Sequence, residues 1–230
     1  MSQMLRHEEK YPVTPEQYRQ LRELGRRTLL CDPHTTDGIY LVRSLYFDTW
    51  KGKDYHAAMH GDLARHKMRL RTYDTDEAFY RLEEKYKKNG LSGKRDSLLT
   101  PAQAHEVAEG DYTHLEQTVP YGPRLAKILQ RDDYRPALSV NYWRDVFYLP
   151  EDDFRLTLDW DIAYGAPEAF WHPEQTLTPD PDSPIVLELK YRTAPPAWLT
   201  KNLEEIGVVL GRHSKYCQGI QKLYQGKMSI

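Results

Sequence analysis

Four segments of the chain alternate strictly between apolar and ionic residues. From position 65, Arg65, Lys67, Arg69 and Arg71 share one parity, while Met68 and Leu70 take the other. Arg81, Glu83, Lys85 and Lys87 alternate in the same way with Tyr80, Leu82 and Tyr86. Further on, Arg155, Thr157, Asp159 and Asp161 oppose Leu156, Leu158, Trp160 and Ile162. Finally, Glu188, Lys190 and Arg192 interleave with Leu187, Leu189 and Tyr191. Successive side chains of a strand point to opposite faces, so each segment predicts a strand with one apolar and one densely ionic side.

Helix signals lie between the strands. Thr14-Pro15-Glu16-Gln17 and Thr100-Pro101-Ala102-Gln103 each combine a capping hydroxyl, a first-turn proline and a capping-box glutamine. They predict helices ending near Leu29 or Leu30 and near Glu109-Gly110. A third is expected from about Pro123 to Arg131. A fourth, from Pro196 to about Val209, carries Leu199, Leu203 and Ile206 at helical spacing. The prolines of the segment from Thr176 to Pro184 mark a loop.

An ionic strand face ordinarily points to water. Here three features favour an enclosed, wet interior instead. The faces are dominated by Arg, Lys and acids rather than Thr, Ser and Gln. Four cations on one strand repel one another, which a solvated strand has no reason to tolerate. A Glu-x-Lys triplet also recurs, as Glu8-Glu9-Lys10, Glu83-Glu84-Lys85 and Glu188-Leu189-Lys190, placing each carboxylate beside an ammonium on one face. A lumen so lined offers cations to phosphate oxygens and carboxylates to a metal.

With 230 residues the chain suits one domain spanning 1–230, and its 40% hydrophobic content can fill a core. The charged fraction is 29% but the net charge is only -2, which argues against a nucleic-acid partner held by bulk charge. Cys31 and Cys217 stand alone, matching no disulfide framework or cysteine metal motif. No apolar run suits a signal peptide or a membrane span. A cytoplasmic protein without an intrinsic membrane anchor is therefore expected.

Several stretches together resemble the VTC-type polyphosphate polymerase family, within the triphosphate tunnel metalloenzyme (CYTH-like) group. They are Arg43-Ser44-Leu45-Tyr46-Phe47-Asp48-Thr49, Arg65-His66-Lys67-Met68-Arg69-Leu70-Arg71, Arg6-His7-Glu8-Glu9-Lys10-Tyr11, Tyr142-Trp143-Arg144, the run from Arg155 to Asp161, Val186-Leu187-Glu188-Leu189-Lys190, and Ser214-Lys215-Tyr216. The resemblance runs from Arg6 to about Ile220. It implies a mainly β fold, a closed antiparallel barrel of about eight strands with charged residues inside and helices outside. It also implies catalytic, phosphate-holding roles for Lys10, Arg69, Arg71, Lys85, Arg144, Arg155 and Lys215. Glu188 matches the carboxylate of the catalytic Mn²⁺ or Mg²⁺, with Glu8 and Glu83 as further metal candidates or as orienters of Lys10 and Lys85. The other cations, Arg6, Arg65, Lys67, Lys87 and Lys190, are expected to add phosphate contacts.

The hydrolytic and cyclase-like branch of this group begins with Glu-x-Glu-x-Lys, whereas this chain has Arg6, Glu8 and Lys10 at those positions. One carboxylate is replaced by a cation, which fits the VTC-like branch. The implied activity is transfer of a nucleoside triphosphate's terminal phosphate to a phosphate chain. Triphosphate hydrolysis and non-catalytic polyphosphate binding are the alternatives. Pyrophosphate, triphosphate and polyphosphate are the other expected ligands, and export of a product would require a partner protein. His7, His56, His60, His66 and His213 match no ligand spacing and read as structural. Cys217 reads as a buried small residue, and Tyr46, Phe47, Tyr142 and Trp143 as core. Asp159 and Asp161 read as partners of lumenal arginines.

Overall fold

The computed structural model describes residues 5–33, 38–74, 79–118, 120–150, 153–172 and 177–224. Thr176 of the expected loop lies outside them. The elements run β1 (His7–Val13), α1 (Pro15–Thr28), β2 (Leu30–Cys31), β3 (Ile39–Asp48), α2 (Lys53–His60), β4 (Arg65–Tyr73), β5 (Tyr80–Lys88) and β6 (Leu91–Leu99). Then come α3 (Pro101–Glu109), α4 (Gly122–Arg131), β7 (Arg135–Leu149), β8 (Phe154–Gly165), β9 (Ile185–Tyr191), α5 (Ala197–Ile206) and α6 (Lys215–Tyr224). Thr14 and Thr100 both form the expected capping boxes, through Gln17 and Gln103. The four expected helices are α1, α3, α4 and α5. Helices α2 and α6 were not anticipated.

All strands pair antiparallel, in the order β1-β9-β8-β7-β3-β4-β5-β6, with β2 added to β7. The expected closed barrel needs correction. Among the described residues no ladder joins the end strands β1 and β6; a single bridge does, in which Arg6 and Ser92 exchange backbone bonds of 3.0 and 2.9 Å. Twist accumulates across a sheet. A strongly curved sheet can therefore bring its edges together at one corner while they splay elsewhere.

Helices cover the apolar outer faces. Leu21 and Leu24 of α1 and Leu199 and Leu203 of α5 pack on Leu156, Leu158, Leu187 and Leu189. Ala104 and Val107 of α3, with Leu125 and Leu129 of α4, pack on Met68, Leu70, Leu82 and Leu99. Each fully buried leucine contributes roughly 1.5–3 kcal/mol, so this coverage fixes which parity of each strand faces out. The ionic parity is left facing inward. At one end, α6 closes the interior by seating Tyr216, Cys217 and Ile220 against Leu138, Val140, Ile162 and Val186.

One strand breaks the expected alternation. Between Asn141 and Trp143 of β7 the register with β8 shifts, because Asn141 opposes Ala163 while Trp143 opposes Trp160. Asp161 takes up the extra residue with φ 49° and is exposed, and Ile162 turns inward. Asp161 is therefore not the lumenal arginine partner expected from parity; a β-bulge reverses the faces beyond it.

Candidate functional site

The inward strand faces and α6 surround a cavity of about 870 Å³. β1 supplies Glu8 and Lys10; β4 supplies Arg65, Lys67, Arg69 and Arg71; β5 supplies Lys85 and Lys87. Arg144 comes from β7, Glu188 and Lys190 from β9, and Lys215 from the first turn of α6. These are expected residues, gathered from six segments of the chain, five of them strands whose alternation turns the side chains inward.

Three sets of acids hold the cations in place. Glu83 accepts from Arg69 Nε at 2.7 Å, with Arg69 Nη2 at 2.6 Å and Arg71 Nη1 at 3.8 Å, while Lys94 reaches its other oxygen at 3.2 Å. Asp159 accepts a two-pronged bond from Arg144, at 2.6 and 2.7 Å, and a third from the Lys215 ammonium at 2.5 Å. Both acids are fully enclosed. Buried charges are tolerated when paired this closely, and two-pronged arginine bonds also fix the guanidinium plane. The third set is Glu8 with Glu188. Lys85 lies 2.7 Å from Glu8 and 3.9 Å from Glu188, Lys190 lies 2.8 Å from Glu188, and Lys10 lies 3.5 and 4.0 Å from the two.

Burial and the adjacent Glu188 push the Glu8 carboxyl up, but Lys85, Lys10 and Lys190 outweigh them and hold it at about 2. Glu188 is likewise held well below the usual range, its burial overcome by Lys190, Lys10, Lys85 and Arg144. Both are carboxylates at any physiological pH. Burial takes the Lys85 ammonium down to about 8 despite those two acids. His213, on the cavity wall, falls to about 3 through burial and the nearby Lys215 and Lys10, so it is neutral.

The fit to a divalent ion is decided by Glu8 and Glu188. Their side chains are each 4% exposed and face the same cations. Glu188 Oε1 is buried without a hydrogen-bond partner, its approach to Lys190 being an ion pair outside hydrogen-bond alignment. Among the described residues no group of three or more His, Cys, Asp or Glu is arranged to hold a metal ion by itself. Mg²⁺ and Mn²⁺ favour this style of site, with one or two carboxylates and the rest of the shell from phosphate oxygens and water. The residues therefore fit such an ion.

Three expected site residues are placed differently. Arg155 bonds Tyr40 at 3.1 Å and Asp32 at 3.2 Å and lines a separate cavity of about 350 Å³ with Arg6, whose Nη2 is 3.0 Å from Asp153. The register explains this. Arg155 opposes Tyr148, four residues along β7 from Arg144, a separation of roughly 13 Å. Glu83 does not reach the main cavity surface; its oxygens are taken up by Arg69, Arg71 and Lys94, so it orients cations.

Sequence reasoning assigned Tyr46 and Tyr142 to the core, but both line the cavity. Arg69 donates to the Tyr46 hydroxyl at 3.0 Å and Arg71 to that of Tyr142 at 3.2 Å. The Lys215 ammonium sits 4.5 Å from the Tyr142 ring centre, a cation–π contact. Parity carried a signal, since Tyr142 shares that of Arg144. Ser214 also belongs to the wall, accepting from Lys67 at 2.7 Å.

Solved structures share this architecture at low identity. A putative adenylate cyclase from Bacillus halodurans superposes with a TM-score of 0.57 at 14% identity, covering 97% of this chain and 100% of that one. The PH1819 protein from Pyrococcus horikoshii OT3 gives a TM-score of 0.50 at 14% identity, covering 95% and 98%. At such identity the likeness concerns the fold. No curated protein sequence matches the chain. The model of the VTC domain, however, matches residues 5–224, spanning every strand and helix that shapes the cavity, and the chain belongs to the VTC domain family.

Proposed function

We propose that this protein is a metal-dependent phosphotransferase that extends inorganic phosphate chains from a nucleoside triphosphate within its cationic cavity. One observation carries the reading. Two ionised carboxylates, Glu8 and Glu188, are enclosed by Lys10, Lys85, Lys190 and Arg144 in a cavity whose charged lining is predominantly Arg and Lys. A plain anion-binding site would be better served without those carboxylates.

Phosphoryl transfer asks little covalent chemistry of a protein; it needs alignment of the reacting oxygens and neutralisation of charge. Arg69, Arg71, Arg144 and Lys215 would grip successive phosphates, and Glu83 and Asp159 already hold them in position, so little ordering remains on binding. Lys67 and Lys87 widen the cationic wall. Glu188 and Glu8 would hold Mn²⁺ or Mg²⁺, which would supply positive charge to offset that developing on the transferring group. The attacking oxygen of a phosphate chain is ionised at neutral pH, so no side-chain base is required. Inward arginines suit repeated tetrahedral anions because their forked donors match paired oxygens.

The test is incubation of the purified protein with ATP and Mn²⁺ or Mg²⁺, followed by separation of polyphosphate from free phosphate. Lengthening polyphosphate supports the proposal. Free phosphate alone would assign hydrolysis, and tight triphosphate binding without turnover would assign a binding module.

A further inference from the structure

Tyr46 occupies a position that phosphate holding alone does not explain. It is the direct cross-strand partner of Arg69. Glu83 takes the Nε and Nη2 side of that guanidinium, and Nη1 is left to the Tyr46 hydroxyl at 3.0 Å. The ring is buried, stacked on Tyr216 at 5.2 Å between centres. From β4 the phenol also faces Lys67 and Arg71, and from β1 Lys10. Around it, α6 places Tyr216, with Cys217 beside Lys67, and Tyr164 of β8 is near. No carboxylate is bonded to the Tyr46 oxygen among the described residues. The hydroxyl thus sits where a phosphate oxygen would be most welcome, on the Nη1 corner of Arg69.

We propose that Tyr46 is a proton-accepting residue of the phosphate site: its oxygen holds Arg69 until a phosphate chain arrives, then yields that guanidinium and takes up one proton. The inference rests on the reading that phosphate chains enter this cavity. The exchange balances as a phenolate and a solvent proton becoming a phenol, with the phosphate oxygen replacing the phenolate on Arg69. Burial opposes ionisation of Tyr46, but Arg69, Arg71 and Lys67 overcome it and bring the hydroxyl down to about 7. Phosphates bound to those three cations cancel most of that field, which returns the group toward its ordinary phenol range. Its protonation is therefore favoured in the bound form. The contribution to affinity is complete below about pH 7 and is lost as pH rises above that value. The loss approaches roughly tenfold per pH unit.

The experiment is calorimetric titration of the wild-type protein and Tyr46→Phe with inorganic triphosphate, in buffers of different ionisation enthalpy, which counts protons taken up. Phenylalanine keeps the ring on Tyr216 and removes only the titrating oxygen. At about pH 8.5 the wild type should take up close to one proton more than the variant, and near pH 6 the difference should vanish. The near-ultraviolet tyrosinate band of the wild type should shrink when triphosphate is added at the higher pH. That spectrum decides alone if Tyr46→Phe fails to fold. Equal proton uptake, or a tyrosinate band indifferent to triphosphate, overturns the exchange and leaves the proposed function standing. No triphosphate binding at all removes both.

Discussion

Lys10 and Glu188 are direct cross-strand partners on β1 and β9, and their charged ends stand 4.0 Å apart inside the cavity. Glu188 spends one negative charge in a place built to attract anions, which makes sense only if that charge serves something else. Glu188→Gln should abolish metal-dependent turnover. Triphosphate binding without metal should be unchanged or tighter, since a carboxylate has been removed from a cationic wall. Turnover assays beside metal-free calorimetry check both halves; full turnover by the variant would show that Glu188 does not hold the metal.

Lys67 differs from its neighbours. It has no carboxylate partner among the described residues, and its ammonium rests on the Ser214 hydroxyl and 5.5 Å from the Tyr216 ring centre. Burial pushes it below the usual lysine range. Lys67→Met should raise the melting temperature while weakening triphosphate binding by about 1.5–3 kcal/mol, the value of a charge-assisted bond. That is roughly ten- to a hundredfold in affinity. Arg69→Ala should instead lose affinity and stability together, because it also removes the two closest cationic contacts of the buried Glu83 and leaves Lys94 and Arg71 to hold it. A Lys67→Met protein that melts earlier than wild type would contradict this account.

Strand parity made most of this site legible. The lumenal placement of Arg69, Arg71, Lys85 and Glu188 follows from alternation plus apolar outer faces, Lys10 and Arg144 were reached through the family resemblance, and the capping boxes announced α1 and α3. What parity cannot show is where alternation slips or stops. The bulge at Asp161 needs a register shift in the partner strand, which one segment alone does not reveal. Parity also gives direction without depth, so Arg155 points inward yet ends in a different cavity. Helix α6 was missed although Ser214 caps it, accepting from the Cys217 amide at 3.2 Å, and Tyr216, Cys217, Ile220 and Tyr224 recur at helical spacing. Helix α2, bounded by Gly52 and Gly61 at φ 63° and 76°, has too weak an apolar stripe to announce itself.

Packing of α6 sets the position of Lys215, one turn before Gly219. A Cβ on Gly219 would lie 2.5 Å from Leu138 Cδ2 and 2.6 Å from Tyr164 Cδ1. Gly219→Ala should therefore lift the helix from β7 and β8, costing about 1–3 kcal/mol of stability as overpacking does. The same shift should draw Lys215 away from Asp159 and lower turnover in protein that remains folded. Urea melts and turnover at saturating substrate measure the two effects. Unchanged stability would mean the helix does not rest on those side chains.

Asp54 is buried in α2, outside the cavity. Its Oδ1 accepts from Tyr134 at 2.9 Å and lies 3.4 Å from His66 Nε2, while Oδ2 is buried without a partner. Burial raises the carboxyl to about 6, with the neighbouring Asp48 adding to it and His66 opposing. The sign follows directly. In the unfolded chain Asp54 releases its proton near the ordinary aspartate value of about 4, and in the fold it keeps that proton to about 6. The contribution of Asp54 to folding stability is thus highest below the unfolded value, declines between the two, and stays reduced above. The deficit is up to about 3 kcal/mol for two pKa units. Asp54→Asn retains the Tyr134 bond through Oδ1 and cannot ionise. Its stability should match wild type near pH 4 and exceed it increasingly toward about pH 6; above that the difference also follows the His66 imidazole, which Asp54 helps to raise. Glu8 and Glu84, both held at about 2, lose their stabilisation progressively from the unfolded glutamate value of about 4.5 downward, and do so in both proteins. Urea denaturation across this range tests the prediction, and a difference that does not change with pH would show that Asp54 is not the titrating group.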